Sequence, residues 1–335
     1  MEIFVVDDSA FMRKVVTDLL EKMPNVKVSN VARNGKQALA LLEDEQPDVV
    51  LLDVEMPILN GLETLKIIKE KYDVPVIMLS ALTNKEVTIE ALNLGAADFV
   101  EKPTNIKEIQ NEWIRDFYGK IKNVAPKKQR MVATREPVTP LKNPQKIQFP
   151  TKVRGVVIGA STGGPKSLIH IIQELDTPLK VPIFIVQHMP KGFTTSFAQR
   201  MNDESKVEVK EAVDGELIMN KVYLCPGDYH MTIADGRIAL NQDAKVHGTR
   251  PAVDHLFRSA AKVYGSGLVA LILTGMGKDG AAGMKQVAQY GGYNIAQSKE
   301  TSVVFGMPKH AIESGVVQEV LDLDVIGDKL KQMVR

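Results

Sequence analysis

Short β-branched runs alternate with amphipathic segments along the first part of the chain. Ile3–Val6, Val28–Ala32, Val49–Leu52, Val76–Leu79 and Ala97–Val100 are the apolar runs. Their spacing predicts an α/β domain, a parallel sheet with helices on both faces. Ile106, Ile109, Trp113, Ile114, Phe117 and Ile121 then recur at near-helical spacing. That stripe predicts a core-facing helix covering one edge of the sheet.

The pattern breaks between about Asn123 and Pro150, where Pro126, Pro137, Pro140, Pro144 and Pro150 are interleaved with Lys127, Lys128, Arg130, Arg135, Lys142 and Lys146. This composition is that of a solvated interdomain linker. From Val153 a second, glycine-richer α/β alternation begins, with strands expected at Val156–Ile158, Val181–Val186 and Leu268–Leu273. The expected organisation is a first domain over 1–123, a linker over 124–150 and a second, doubly wound and mostly parallel α/β domain over 151–335.

Composition narrows the function classes. The 335 residues are 44% apolar and 25% charged with a net charge of +1, so no global basic field points to nucleic acid. A single cysteine, Cys225, excludes an intramolecular disulfide and a Cys-rich metal site, and fits a reducing compartment. The amino-terminal apolar stretch is too short for a signal peptide or a membrane span, so a cytoplasmic protein without direct membrane insertion is expected.

Candidate chemistry sits at strand ends. Asp7 and Asp8 follow the first strand, Asp53 ends the third, Ser80 ends the fourth, and Lys102-Pro103 follows the fifth. In an open parallel sheet these positions converge on one crevice. Three carboxylates repel one another unless a cation lies between them, and an all-oxygen ligand set suits Mg²⁺. With Lys102 adding positive charge, the arrangement would accept a phosphoryl group on Asp53, with Mg²⁺ held by Asp7, Asp8 and Asp53 and with Ser80 sensing the new oxygens. Leu51-Leu52-Asp53-Val54-Glu55-Met56-Pro57 followed by Asn60-Gly61-Leu62 resembles the phosphoacceptor segment of response-regulator receiver domains. Asp7-Asp8-Ser9, Ser80-Ala81, Lys102-Pro103 and Phe99, at the aromatic switch position, match the other marks of that family. The resemblance covers the whole first domain and implies a flavodoxin-like fold, a five-stranded parallel sheet, and control by a histidine kinase.

In the second half, Val156-Val157-Ile158 runs into Gly159-Ala160-Ser161-Thr162-Gly163-Gly164-Pro165 and then a helix-like segment. This puts Ser161 on a tight strand-to-helix turn, as a nucleophile, a phosphate ligand or a helix cap. His188 follows a second strand and Asp279, in Thr274-Gly275-Met276-Gly277-Lys278-Asp279-Gly280, follows a third. Serine needs a base and histidine needs an orienting carboxylate, and the chain supplies one of each. The order serine, histidine, aspartate excludes the α/β-hydrolase fold despite the G-x-S-x-G match. The glycine pattern is neither a dinucleotide fingerprint nor a P-loop. His170, His230, His247, His255 and His310 lack metal-ligand spacing and are expected to be structural or surface residues.

Gly159 to Leu168, Val186 to Thr194, Arg250 to Asp254, Thr274 to Gly280 and Gly306-Met307-Pro308 resemble successive signatures of the chemotaxis protein-glutamate methylesterase catalytic domain. With the receiver in front, the resemblance spans nearly the whole chain. It implies hydrolysis of glutamate γ-methyl esters on the cytoplasmic helices of chemoreceptors, with glutamine deamidation as a second activity. The implied triad is Ser161, His188 and Asp279, with oxyanion donors near Thr162, Gly275 and Met276 and no cofactor for the esterase step. It also implies an unphosphorylated receiver covering the Ser161 edge. Cys225 stands where a smaller residue is expected and is assigned to packing. Against this reading stand a receiver-driven transcription factor, which would need a helix-turn-helix and a basic recognition face, a generic serine hydrolase or amidase acting on a small metabolite, and a non-catalytic adaptor.

Overall fold

The structure is a computed structural model. It describes residues 1–81, 83, 85–103, 111–125 and 147–335. Residues 126–146 of the expected linker, and Ile106 and Ile109 of the expected helical stripe, lie outside the described residues. The chain divides into two units, Met1–Met131 and Val132–Arg335.

The first unit runs β1 (Glu2–Val6), α1 (Ala10–Glu21), β2 (Lys27–Ala32), α2 (Gly35–Asp44), β3 (Val49–Asp53), α3 (Gly61–Lys71), β4 (Val76–Ser80), α4 (Lys85–Asn93), β5 (Asp98–Glu101) and α5 (Asn111–Val124). All five strands pair in parallel in the order β2-β1-β3-β4-β5. The order reverses between β1 and β3, so the residues after these two strands flank the crevice where open sheets bind ligands. Helix starts are fixed locally. Ser9 accepts the Met12 N–H, Asn34 accepts the Gln37 N–H, and Asn60 and Glu63 form a reciprocal capping box on α3. Phe117 and Ile121 of α5 are buried against Ile3, Val5, Leu51 and Ile77, as their spacing predicts.

The second unit continues with β6 (Gly155–Ala160), α6 (Gly164–Gln173), β7 (Ile183–Gln187), α7 (Phe193–Asp203), β8 (Val209–Glu211), β9 (Val222–Leu224), β10 (His230–Ala234), β11 (Arg237–Asn241), α8 (Val253–Tyr264), β12 (Leu268–Ile272), α9 (Ala281–Gln289), β13 (Tyr293–Gln297), α10 (Met307–Glu313), β14 (Glu319–Leu321) and α11 (Leu323–Met333). A seven-stranded sheet in the order β14-β13-β12-β6-β7-β9-β8 is parallel throughout, and β10 and β11 form a separate antiparallel pair. Every residue of β6, β7, β12 and β13 is buried, as a sheet covered on both faces requires. The chain leaves β6 toward β7 and returns to the opposite side of β6 as β12, so this sheet too has a reversal point, beside β6. Among the described residues no helix is long and apolar enough to cross a membrane.

Candidate active site

The sheet register brings the second-half candidates together. Ala160 lies opposite Gln187 on one side of β6, and Gly159 lies opposite Ile272 on the other. One step further along the strands, Ser161 stands between His188 and Thr274. The His188 N–H donates to Ala160 O at 3.1 Å and the Ser161 N–H to Thr274 O at 3.0 Å. The buried Gln187 clamps this edge, its Nε2 donating to Ser161 O at 3.0 Å and to His188 O at 3.1 Å.

The turn that follows rules out the helix-cap reading of Ser161. The N-cap of α6 is Gly163, at φ +77°, and it makes no side-chain cap bond. A Cβ built there would lie 2.6 Å from Val303 Cβ, so both the left-handed backbone and the close packing call for glycine. Ser161 Oγ makes no hydrogen bond among the described residues and is left available for chemistry.

Asp279 sits at the convergence of two helix starts and is 1% exposed. Its Oδ2 accepts from His188 Nε2 at 2.8 Å and from the Val253 N–H at 2.6 Å. Its Oδ1 accepts from the Asp254 N–H at 3.0 Å and the Gly280 N–H at 2.9 Å. Burial pushes this carboxyl up, but the His188 bond and charge and the two α8 N–H groups outweigh it, so its pKa lies below the ordinary carboxylate value. A carboxylate oxygen only accepts, so His188 Nε2 carries the hydrogen and Nδ1 is the nitrogen left with a lone pair.

A second carboxylate lies beneath the first. Asp254 Oδ1 accepts from the Gly283 N–H at 2.6 Å and from the same Gly280 N–H at 3.1 Å. Burial, and then the charge of Asp279, raise its pKa. His230, fully buried, accepts the Ala252 N–H on Nδ1 at 3.1 Å, which fixes the residue preceding α8, and stacks on His255 at 4.0 Å.

The Thr274–Gly280 loop closes the site. Gly275 abuts Ser161 so closely that a Cβ would lie 2.8 Å from Ser161 Cβ and 2.4 Å from Met307 Sδ. Gly275 thus lies in the expected oxyanion vicinity, though its own N–H donates to Val304 O at 2.9 Å. The Met276 N–H has no such partner among the described residues. Thr274 Oγ1 donates to Thr162 O at 2.9 Å, and Gln297 Oε1 accepts the Thr274 N–H at 2.7 Å, tying the loop to the serine turn.

The first unit assembles its own acidic site. Ligand oxygens of Asp7, Asp8 and Asp53 lie within 4.8 Å of one another. Lys102 Nζ lies 2.7 Å from both Asp7 Oδ2 and Asp53 Oδ1. Asp7 Oδ2 is buried and, among the described residues, has no partner besides that ammonium group. Three carboxylates against a single ammonium group leave an excess of negative charge, and an all-oxygen set of this kind fits a hard divalent cation. Burial raises the Asp53 pKa to about 6, with Lys102 opposing and the Asp7 charge adding to the shift. Ser80 Oγ meets Thr88 Oγ1 at 2.5 Å, and Phe99 is buried with Lys120 Nζ 5.1 Å above its ring.

The other histidines and Cys225 stay out of this chemistry. His170 pairs with Asp324 on the surface, while His247 and His310 line a cleft beside α9. Cys225 is buried, and its burial pushes the thiol far above its usual range. His230 is structural, as expected, whereas the particular roles of Gln187, Asp254 and His230 around the site are not written in the sequence. The signals for them were slight: an amide just before His188, an acid within the Arg250–Asp254 motif, and a histidine in a glycine-rich half.

Comparison with known proteins places the chain in a family. The family model for CheB methylesterase matches residues 156–330, and that for the response regulator receiver domain matches residues 3–113. A protein-glutamate methylesterase/protein-glutamine glutaminase of Pyrococcus horikoshii is 44% identical over 100% of this chain and 94% of its own length. One from Clostridium acetobutylicum is 42% identical over 100% of this chain and 98% of its own. The crystal structure of the Thermotoga maritima CheB methylesterase catalytic domain matches with a TM-score of 0.53 and 47% identity, covering 55% of this chain and 100% of that one. The chain therefore belongs to the CheB methylesterase family, with a response regulator receiver domain ahead of the catalytic domain.

Proposed function

We propose that the chain removes methyl groups from glutamate γ-methyl esters on the cytoplasmic helices of chemoreceptors, releasing methanol, and deamidates receptor glutamines by the same chemistry. In this reading residues 1–123 receive a phosphoryl group from a chemotaxis histidine kinase on Asp53, residues 124–150 connect, and residues 151–335 hydrolyse. The working compartment is the cytoplasm, where kinase and receptor helices meet. The observation that carries the reading is the His188–Asp279 hydrogen bond on the strand end next to Ser161.

The mechanism follows from the placement of the groups. His188, held by Asp279 through Nε2, presents Nδ1 as the base that takes the Ser161 hydroxyl proton while Oγ attacks the ester carbonyl carbon. The negative charge passes to the carbonyl oxygen, which the Met276 N–H and a donor near Thr162 receive. Collapse expels methoxide, protonated by His188, as methanol and leaves a glutamyl-serine ester. Water, deprotonated by the same histidine, attacks that ester and restores Ser161 with glutamate as product. The buried negative charge of Asp279 stabilises the imidazolium in both halves. A glutamine side chain follows the same path with ammonia leaving.

In the receiver domain, Asp7, Asp8 and Asp53 would hold Mg²⁺, which supplies positive charge for the incoming phosphoryl oxygens. Asp53 is the acceptor, Lys102 pairs with the product, and Ser80 and Phe99 form the switch. The test is methanol release from methylated receptor alongside release of alcohol from simple esters, with and without a phosphodonor. Hydrolysis of the receptor that rises with phosphodonor supports the reading. Equal activity on simple esters, indifferent to phosphodonor, points to a generic hydrolase.

A further inference from the structure

Beside the catalytic loop lies a cleft of about 370 Å³ lined by His247, Lys278, Ala281, Ala282, Lys285, His310, Glu313 and Ser314. It is built on the elements that form the site. Lys278 immediately precedes Asp279, and its carbonyl accepts the Ala281 N–H where α9 begins. The first N–H of α10, from Met307, donates at 2.8 Å to the carbonyl of Gly275, the residue packed against Ser161. The cleft is therefore fixed in register with the nucleophile.

Its charge is one-sided. Lys278, Lys285, His247 and His310 are all exposed. The ammonium groups of Lys278 and Lys285 make no ion pair or hydrogen bond among the described residues. The one carboxylate in the wall, Glu313, lies 3.6 Å from Lys309 Nζ, which offsets its charge. His310 Nδ1 donates to Gly306 O at 2.9 Å, which leaves Nε2 for an outside partner. Two ammonium groups without ion pairs, set around a wall that is mostly apolar surface, make a receptor for anions carried on short aliphatic stems.

We propose that this cleft binds carboxylate side chains of the substrate polypeptide that flank the target ester. The inference rests on the methylesterase reading and adds a rule of substrate preference to it. Each turnover converts a neutral ester, or a neutral amide, into a carboxylate. A polypeptide carrying several such side chains becomes a better ligand for the cleft as its neighbouring sites are hydrolysed. Hydrolysis at one site therefore promotes hydrolysis at the next, and the fully esterified substrate is the slowest to be engaged.

The test uses the full chain with acetyl phosphate and Mg²⁺ and two helical peptides. Each carries one glutamate γ-methyl ester, flanked one turn away on both sides by glutamate in one peptide and by glutamine in the other. Methylated receptor serves as the reference substrate, with methanol release as the readout. In the wild type the glutamate peptide has a lower KM by about two- to five-fold per engaged carboxylate, the range of single exposed ion pairs, at similar kcat. The advantage shrinks as salt is added. Lys285→Gln reduces it and Lys285→Glu reverses it, while both variants hydrolyse the glutamine peptide as the wild type does. Equal KM values for the two peptides in the wild type, or a preference that survives Lys285→Glu, overturn the cleft assignment alone. Absence of methanol release from methylated receptor by the wild type overturns the methylesterase reading, and the cleft assignment with it.

Discussion

Replacing Asp279 by asparagine tests the account where its geometry is most constrained, because every acceptor site of this carboxylate faces a donor. If the new amide nitrogen takes the place of Oδ2, it opposes the Val253 N–H, now 2.6 Å away, and donates toward His188 Nε2. The imidazole must then put its hydrogen on Nδ1, and it can no longer accept the Ser161 proton. If the amide nitrogen instead takes the place of Oδ1, it opposes the Asp254 and Gly280 N–H groups at 3.0 and 2.9 Å. Each buried donor left unpaired costs about 1–3 kcal/mol. The Gly280 N–H keeps Asp254 Oδ1 at 3.1 Å, so each orientation leaves one backbone donor unpaired. Only the first gives an amide hydrogen an acceptor, His188 Nε2, while the second points both at N–H groups; the first is favoured, and it is the catalytically dead one. Asp279→Asn should lower kcat for methanol release by about a thousand- to ten-thousand-fold, as an orienting-carboxylate-to-amide change does where it inverts the histidine tautomer. Unfolding free energy should fall by about 1–3 kcal/mol, one lost donor's worth. The assay is single-turnover methanol release from methylated receptor with phosphodonor present, with denaturant unfolding measured in parallel and phosphorylation of Asp53 as a control for the first unit. Activity within ten-fold of wild type in a folded, phosphorylatable variant would refute the reasoning.

Three further outcomes follow from the packing. Gly275→Ala brings a methyl group against both Ser161 Cβ and Met307 Sδ; methanol release should fall at least a hundred-fold while binding of methylated receptor, measured by co-sedimentation, changes little. His230 titrates below the usual 6.5 because burial, and then the His255 charge, disfavour its cation. The unfolded chain therefore binds the extra proton first as pH falls below about 6.5, and stability is lost from there toward the folded pKa; His230→Asn should flatten that part of a stability-versus-pH curve from denaturant melts. Cys225, buried with its thiol pKa pushed far upward by burial, should resist iodoacetamide in the native state and react promptly in denaturant.

What could be read from the chain divides along a physical line. Asp53, Ser161, His188 and Asp279 were legible because each follows a buried apolar run, and the carboxyl ends of parallel strands share one edge. The first-unit strands were legible for the same reason and differ from expectation by a residue or so at their ends. The three-residue strands β8, β9 and β14 were not, since so short a run carries no period. Nor was the Asp279 cradle: two of its donors are the backbone N–H groups of Val253 and Asp254, which carry no side-chain signature and lie 26 and 25 residues away along the chain. Which N–H of the Gly275–Gly277 loop is spent within the protein was not legible for a related reason. Whether a loop N–H is free depends on which carbonyl folds against it, and here Val304 O does. Ser80 is legible as a strand-end residue and Phe99 only through the resemblance, while their contacts with Thr88 and Lys120 are properties of packing alone.

The most direct test of the central claim is methanol release from methylated receptor by the full chain, with and without acetyl phosphate and Mg²⁺, in wild type, Asp53→Asn and Ser161→Ala. The account predicts release by the wild type that rises with phosphodonor, release by Asp53→Asn that stays at the basal rate, and none from Ser161→Ala although its Asp53 is still phosphorylated. Substantial methanol release by a pure Ser161→Ala preparation would contradict it.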